Sequence, residues 1–352
     1  MRILFLNKNL DITAGEGRYG LDIVKNISEQ EGIETIVLTQ PFLRESYLLR
    51  HFFNIFINAF RIRKYVKNCD IVHALDGYPY GVIAALANIG LNKKLIINGI
   101  GTYSILPLDK SIKKVLMKWA YKKADKILCI SRFTEKQILN RVKTGNTTVI
   151  NHGVDYEKFQ REFETKDKKE KVILSVGALK PRKGYHISIP AIAEVKKKYK
   201  DIKYCIVGGK PLKIYTDLVK KHNLEKNVKF FQDVSDEDLI KLYYEADIFL
   251  LTSVNINNND FEGFGLVYLE AGACGKPVIG TFDCGAEDAI VNGETGILVP
   301  QNNIKETAEA ILKILDKPEL AKKLGQNNKK RAQEMDWDNV VKKYMNVYLS
   351  NS

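Results

Sequence analysis

The chain has 352 residues, a formal net charge of +13 at pH 7, 45% hydrophobic and 28% charged residues. These values are typical of a globular protein of two ordinary domains, and no apolar run reaches the roughly 18 residues that a membrane span needs. The five scattered cysteines lack CxxC spacing, so we expect neither a disulfide framework nor a zinc site, and a reducing cytoplasm fits.

Two aromatic and basic stretches lie in the first half of the chain, which carries most of the positive charge. Residues 42–67 read FLRESYLLRHFFNIFINAFRIRKYVK, and Lys110–Lys126 alternates lysines with apolar residues. Such stretches are typical of helices that lie on an anionic membrane surface. The plainer interpretation is a core helix that docks on a sheet. Nucleic acid is a further candidate partner, but no nucleic-acid motif is present, so we expect none to bind.

Short apolar runs alternate with helical stretches along the whole chain, which predicts an α/β fold with parallel sheets. In the first half the predicted strands are Ile3–Asn7, Ile33–Thr39, Asp70–Ala74, Leu95–Ile97, Ile127–Ile130 and Thr148–Ile150. In the second half they are Val172–Val176, Tyr204–Val207, Val228–Phe231, Ile248–Thr252 and Val278–Gly280. The charged, apolar-poor stretch Arg161–Lys171 predicts a linker, with domains at 1–165 and 166–335.

Two features of the first domain are candidate substrate contacts. Gly15 and Gly17 lie in a glycine-rich turn after the first strand, where backbone amides can cradle phosphate, although the full GxGxxG spacing is missing. His73 ends the third strand, at the sheet edge that borders the ligand crevice in open α/β sheets. It is a candidate acceptor contact, and a hydrogen-bonded core histidine fits the pattern equally well.

In the second domain, the glycine-bounded loop GALKPRKG carries adjacent cations, Arg182 and Lys183. An arginine can form bidentate hydrogen bonds with two phosphate oxygens, and a lysine acts as a point charge, so this loop suits a diphosphate. An exposed basic turn without a ligand is the alternative. Gly208 follows the next strand, where a missing side chain lets a nucleotide approach.

The stretch DFEGFGLVYLEAGACGKPVIGT, residues 260–281, predicts a helix that starts after a glycine and ends at Gly275. Glu262 and Glu270 flank its start, roughly 12 Å apart at about 1.5 Å rise per residue. Unpaired amides at Gly263, Phe264, Gly265 and Leu266 favour an anion or a hydroxyl group there. This arrangement suits a nucleotide-sugar, although a capped αβ unit with two solvated glutamates has the same pattern.

Four elements occur in a specific order: SRFT at 131–134, HGVD at 152–155, PRKG at 181–184 and the E-x7-E pair. Together they resemble family-4 retaining glycosyltransferases over nearly the full length. The resemblance implies a GT-B fold, with two Rossmann-like domains whose parallel sheets face each other across a cleft. It also implies that a C-terminal helix, 336–352, crosses back onto the first domain.

The resemblance also assigns roles to residues of the second domain. Glu262 would hold a sugar hydroxyl, Glu270 the ribose, and the backbone near Val234 would meet the base. Arg182 and Lys183 would neutralise the departing diphosphate, so we expect no metal and no cofactor.

The function implied is hexose transfer from a UDP- or GDP-sugar to a lipid-linked or polysaccharide acceptor in cell-envelope glycan synthesis. The enzyme would act in the cytoplasm, at the inner face of the membrane. The alternatives are a nucleotide-sugar epimerase on the same fold, a non-catalytic partner subunit and a basic nucleic-acid-binding protein. The chain departs from the family at loop 98–103, where many members carry a histidine and this chain offers Asn98 or Ile100.

Overall fold

The computed structural model describes residues 1–11, 15–40, 51–109, 111–161, 170–256 and 260–350. The chain divides into two compact units, one formed by Met1–His152 with Asp338–Ser352 and the other by Gly153–Trp337. Each unit contains one six-stranded sheet that is parallel throughout, which confirms the predicted α/β class.

The division at His152 and Gly153 comes earlier than the predicted boundary at 165/166. The turn after His152 packs within the second unit, where the Val154 amide donates to the Met335 carbonyl at 3.0 Å. A Cβ on Gly153 would lie 2.7 Å from the Trp337 ring, so the backbone and the indole are in direct contact. Most of the predicted linker, residues 162–169, lies outside the described residues.

The sheet of the first unit has the strand order β2-β1-β3-β4-β5-β6. Its strands are β1 Arg2–Leu6, β2 Glu34–Leu38, β3 Ile71–Ala74, β4 Lys94–Gly99, β5 Lys126–Cys129 and β6 Thr147–Val149. The α-helices of this part of the chain are Gly15–Ser28, His51–Lys67, Val82–Ala87, Thr102–Ile105, Ser111–Lys123, Arg132–Leu139 and the C-terminal Trp337–Leu349.

The sheet of the second unit has the strand order β12-β11-β10-β7-β8-β9. Its strands are β7 Val172–Val176, β8 Lys203–Val207, β9 Val228–Phe231, β10 Ile248–Leu250, β11 Val278–Thr281 and β12 Gly296–Val299. The α-helices are Tyr185–Lys196, Lys213–Lys221, Asp236–Glu245, Leu266–Ala273, Ala286–Ala289, Ile304–Leu315 and Pro318–Glu334. A continuous apolar core joins strands β7, β8 and β10 to the helices that cover them.

Side chains and glycines at the predicted positions begin and end several helices. Ser131 and Ser235 cap their helices, each hydroxyl accepting a hydrogen bond from the amide three residues later. Gly275 has φ +71°, the left-handed conformation expected where the helix Leu266–Ala273 ends. These local signals hold the loops at the carboxyl ends of the strands in fixed conformations.

The helix His51–Lys67 forms the second part of the aromatic and basic stretch 42–67, and residues 42–50 lie outside the described residues. Its face Ile55, Ala59, Ile62 and Val66 is buried, as the core-helix interpretation predicts. The opposite face is exposed and still apolar, with Phe60 81% exposed. The buried face fits the core-helix interpretation, and contact of the exposed face with a membrane stays a prediction. Of the helices in the described ranges, none is long and apolar enough to cross a membrane.

Candidate active site

The candidate site lies at the carboxyl edge of the second unit's sheet, where the strand order reverses. From the adjacent strands β7 and β10, the order runs one way through β8 and β9 and the other way through β11 and β12. Loops that leave two such strands diverge and open a crevice between them, which is where open α/β sheets bind ligands. The loop after β7 carries Arg182 and Lys183, and the loop after β10 carries Ser253 and leads to Glu262.

The loop after β7 is fixed by a single 3-10 turn, Pro181–Lys183, that ends at Gly184. Gly184 has φ +71°, and the Thr252 hydroxyl donates to its carbonyl at 2.8 Å. A Cβ on Gly184 would lie 1.7 Å from the Thr252 carbonyl oxygen, so only glycine fits between the two loops. The turn directs the Lys183 side chain inward, and that residue is only 9% exposed.

Three charged or polar side chains converge on the carboxylates of Glu262 and Asp260. Glu262 Oε2 is 2.5 Å from Lys183 Nζ and 3.1 Å from Arg182 Nη1. The Ser253 hydroxyl donates to the same oxygen at 3.2 Å. Arg182 also reaches Asp260, with its Nε 3.4 Å from Oδ1. The three residues predicted to be catalytic are thus brought together in one ion-pair cluster.

The cations of this cluster control the charge of Glu262. Its burial acts to raise the carboxyl pKa, but Lys183 and Arg182, with the Lys183 and Ser253 hydrogen bonds, outweigh that effect and lower the pKa to about 2. Burial lowers the pKa of the Lys183 ammonium from its ordinary value, while Glu262 opposes that shift. The carboxylate is therefore ionised at neutral pH and holds the two cations at the crevice.

The start of the helix Leu266–Ala273 is shaped by glycines. Gly265 is its N-cap residue, with φ +87°, and, lacking a side chain, it cannot cap the first helical amides. Gly285 donates its amide to the Glu262 carbonyl at 2.8 Å, and a Cβ on Gly285 would lie 2.0 Å from the Gly263 carbonyl oxygen. Phe264 is buried. The glycines let the backbone turn tightly and leave the helix start open to an anion.

Glu270 lies one to two turns into that helix and is only 1% exposed. Its Oε2 accepts a hydrogen bond from the Tyr243 hydroxyl at 2.7 Å. Tyr243 belongs to the helix Asp236–Glu245, which follows β9 and the half-buried Val234, so the Glu270 carboxylate is bonded to that helix. Gly208 follows β8, and its missing Cβ leaves room for the Gly177 carbonyl oxygen, which would be 2.6 Å away.

The candidate residues of the first unit are Gly15, Gly17 and His73. Gly15 begins the first helix. Gly17 packs on the preceding loop, where a Cβ would lie 2.2 Å from the Asp11 carbonyl oxygen. Its role in the structure is therefore close packing of the turn, and its predicted contact with phosphate stays a prediction.

His73 is fully buried, and the structure favours the core-histidine interpretation over an acceptor contact. Its ring nitrogens lie 2.8 Å from the Tyr348 hydroxyl and 2.7 Å from Asn98 Oδ1. Burial lowers the pKa of His73 to about 4, and the Asn98 hydrogen bond opposes that shift only in part. Asn98 also donates to the Tyr19 hydroxyl at 2.8 Å, so this candidate for the missing family histidine is itself a core residue.

Sequence reasoning missed three residues that hold the site: Ser253 and Asp260 beside the cations, and Tyr243 beside Glu270. Ser253 is three residues after the end of the short strand β10, so its position near the carboxyl edge of the sheet was a usable signal. Tyr243 is 27 residues before its partner Glu270. No short motif joins these two residues, and only the packing of their helices brings them together.

Two family models match most of the chain. The family described as "Glycosyl transferases group 1" matches residues 157–331, and "Glycosyltransferase Family 4" matches residues 23–158. An uncharacterised glycosyltransferase of Methanocaldococcus jannaschii is 30% identical over 297 residues, which cover 83% of this chain and 79% of that protein.

A GDP-mannose-dependent alpha-(1-6)-phosphatidylinositol monomannoside mannosyltransferase of Mycolicibacterium smegmatis is 25% identical over 285 residues, 76% of this chain and 73% of that protein. Among solved structures, Anabaena HepE in complex with UDP and glucose superposes with a TM-score of 0.79 at 20% identity, over 100% of both chains. That likeness identifies the fold as GT-B. The chain belongs to the group 1 glycosyltransferases, the family-4 type with the GT-B fold.

Proposed function

We propose that this glycosyltransferase moves a hexose, with retention of configuration, from a UDP- or GDP-sugar to a lipid-linked or polysaccharide acceptor of the cell envelope. The observation that carries the proposal is the cluster of Arg182, Lys183 and Glu262 beside the open helix start at Gly265. Two cations and unpaired amides are suited to a diphosphate, and the carboxylate accepts hydrogen bonds from a sugar.

The donor would span the crevice from the ribose to the sugar. Glu270 would accept hydrogen bonds from the ribose hydroxyls, with Val234 and Gly208 beside the nucleotide. Glu262 would accept a hydrogen bond from a sugar hydroxyl, with the amides of Gly265 and its neighbours Phe264 and Leu266 assisting. We propose that the charge of the protein's own cations replaces that of a divalent metal, and that the reaction needs no cofactor.

In the chemical step, the bond between the anomeric carbon and the diphosphate oxygen breaks as the acceptor oxygen bonds to that carbon from the same face. The acceptor proton passes to the departing phosphate oxygen. Arg182 and Lys183 stabilise the negative charge that builds on the diphosphate, which lowers the barrier only because that charge is greater in the transition state than in the bound donor.

The lipid-linked acceptor and a location at the inner face of the membrane are supported by the first unit. The helices His51–Lys67 and Ser111–Lys123 contain no acidic residue, and their sequences hold four and five Lys or Arg residues. Their exposed apolar side chains include Phe53 and Val115. Cations next to exposed apolar side chains are typical of surfaces that bind anionic membranes.

The donor is tested by thermal denaturation with UDP, GDP and ADP, followed by turnover of the matching nucleotide-sugars. A ligand that binds only the folded state raises the melting temperature, and at 100 times its Kd the stabilisation is about 2.7 kcal/mol. We expect UDP or GDP to act this way and Lys183→Ala to lose the shift. Normal turnover by both Lys183→Ala and Glu262→Ala, with folding intact, would refute the assigned roles.

A further inference from the structure

A second cavity, of about 220 Å³, lies in the first unit between the helix His51–Lys67 and the loops that follow β3 and β4. Ile55 and Leu106 contribute to its mainly apolar wall, and Tyr78 and Tyr103 stand at the ends of the two loops. Pockets that enclose a whole drug-sized ligand measure roughly 300–1,000 Å³, so this cavity suits one part of a larger molecule.

Asn58 marks the cavity as a binding site. It lines the cavity while being only 3% exposed, on the buried face of its helix between Ile55 and Ala59. Within the described ranges, no hydrogen bond involves the Asn58 side chain. The side-chain amide of Asn58 does not belong to the buried polar atoms that lack a hydrogen bond, so it can be reached from the cavity and can bond to a ligand there. An apolar cavity that keeps such an amide is suited to a ligand with both a hydrocarbon part and a hydrogen-bonding part.

The rim of the cavity is positively charged. Lys113 lines it, and its Nζ lies 4.9 Å from the centre of the Tyr78 ring, which holds the ammonium near the opening. Lys113 belongs to the helix Ser111–Lys123, which has no acidic residue, and the opposite wall comes from the helix His51–Lys67, which has none either. The charge complements an anion, and the mainly apolar wall complements hydrocarbon.

We propose that this cavity binds a phosphorylated membrane lipid at the junction of its head group and its hydrocarbon chain. The Asn58 amide donates to a head-group oxygen, Lys113 pairs with the phosphate, and the apolar wall covers the first part of the chain. The inference rests on the proposed transfer to a lipid-linked acceptor and specifies where the first unit would hold that acceptor.

The test is photo-crosslinking of the full chain with decyl phosphate that carries a diazirine on its chain. We expect saturable labelling of peptides that contain Asn58 or Tyr78. Asn58→Leu keeps the branched shape of the side chain but removes the amide, and Lys113→Glu reverses the rim charge. Since a hydrogen bond to a charged group contributes about 1.5–3 kcal/mol, each variant should bind about tenfold more weakly or worse. Lys122→Glu, with the same charge change on the same helix but outside the cavity, should bind normally.

Circular dichroism checks the fold of each variant. Because Lys113 is exposed, Lys113→Glu should fold normally and test the proposal even if Asn58→Leu does not fold. Equal labelling of both cavity variants and the wild type, or labelling elsewhere, would overturn the proposal. So would a concentration-dependent dimer that excludes the probe, because a second copy would then cover this face. The labelling assay contains no nucleotide-sugar and is independent of the turnover assay described above. If the cavity is labelled but the protein turns over no nucleotide-sugar, only the proposed function is refuted. If the protein turns over its donor but the cavity is not labelled, only the cavity proposal is refuted.

Discussion

Replacing Glu262 with glutamine should destabilise the second unit by an amount that depends on pH. The folded-state pKa of about 2 lies below the ordinary value of 4.5, so ionised Glu262 stabilises the fold above pH 4.5, and this contribution is lost as the pH falls through 2. Since one pKa unit corresponds to about 1.4 kcal/mol, this contribution is on the order of a few kcal/mol at pH 7. At pH 3, between the two pKa values, less than about half of it remains.

The measurement is urea unfolding of the wild type and Glu262→Gln at pH 7, 4 and 3, followed by circular dichroism. The difference in unfolding free energy should shrink as the pH falls. Glu225→Gln is the matched control, since Glu225 is exposed and should change stability by less than about 0.5 kcal/mol. A difference that is the same at pH 7 and pH 3, or is below about 1 kcal/mol at pH 7, would refute the ion-pair argument.

Two further substitutions test how the site is held. Gly184→Ala should cost about 2 kcal/mol or more in unfolding free energy and impair donor turnover, because its Cβ would lie 1.7 Å from the Thr252 carbonyl oxygen at φ +71°. Gly145→Ala is the control, because a Cβ on Gly145 would have nothing within 4 Å, and its melting temperature should be nearly unchanged. An equal loss of stability in both variants would count against the steric argument. Tyr243→Phe removes the buried hydrogen bond to Glu270 and should lower stability by about 1–3 kcal/mol in urea unfolding. Its nucleotide affinity should fall as well, and unchanged affinity would argue against Glu270 as the ribose contact.

Local sequence signals predicted the elements that carry the site. Ser235 and Gly275 mark helix ends by chemistry that acts within a few residues, and strand β7 has the predicted bounds Val172–Val176. Alternation of apolar runs was enough to predict two parallel sheets. The order of motifs then indicated which of the loops form the crevice.

Contacts between distant parts of the chain were beyond the same reasoning. His73 and Tyr348 are 275 residues apart, and only the packing of the C-terminal helix on the first unit turns a candidate acceptor contact into a core histidine. Asn58 has the helical spacing of a buried face, but sequence cannot say whether a buried amide has a partner. The pairing of both cations with Glu262 likewise depends on the reversal of strand order between β7 and β10.

The division of Arg182 between Glu262 and Asp260 has a consequence for the end of the catalytic cycle. If the diphosphate occupies the guanidinium during transfer, its departure returns Arg182 to carboxylates that already stand within reach. Product release is then an exchange of one counter-ion for another, without exposing a bare cation. We expect Asp260→Asn to lengthen the residence time of the spent nucleotide, which stopped-flow displacement would measure directly.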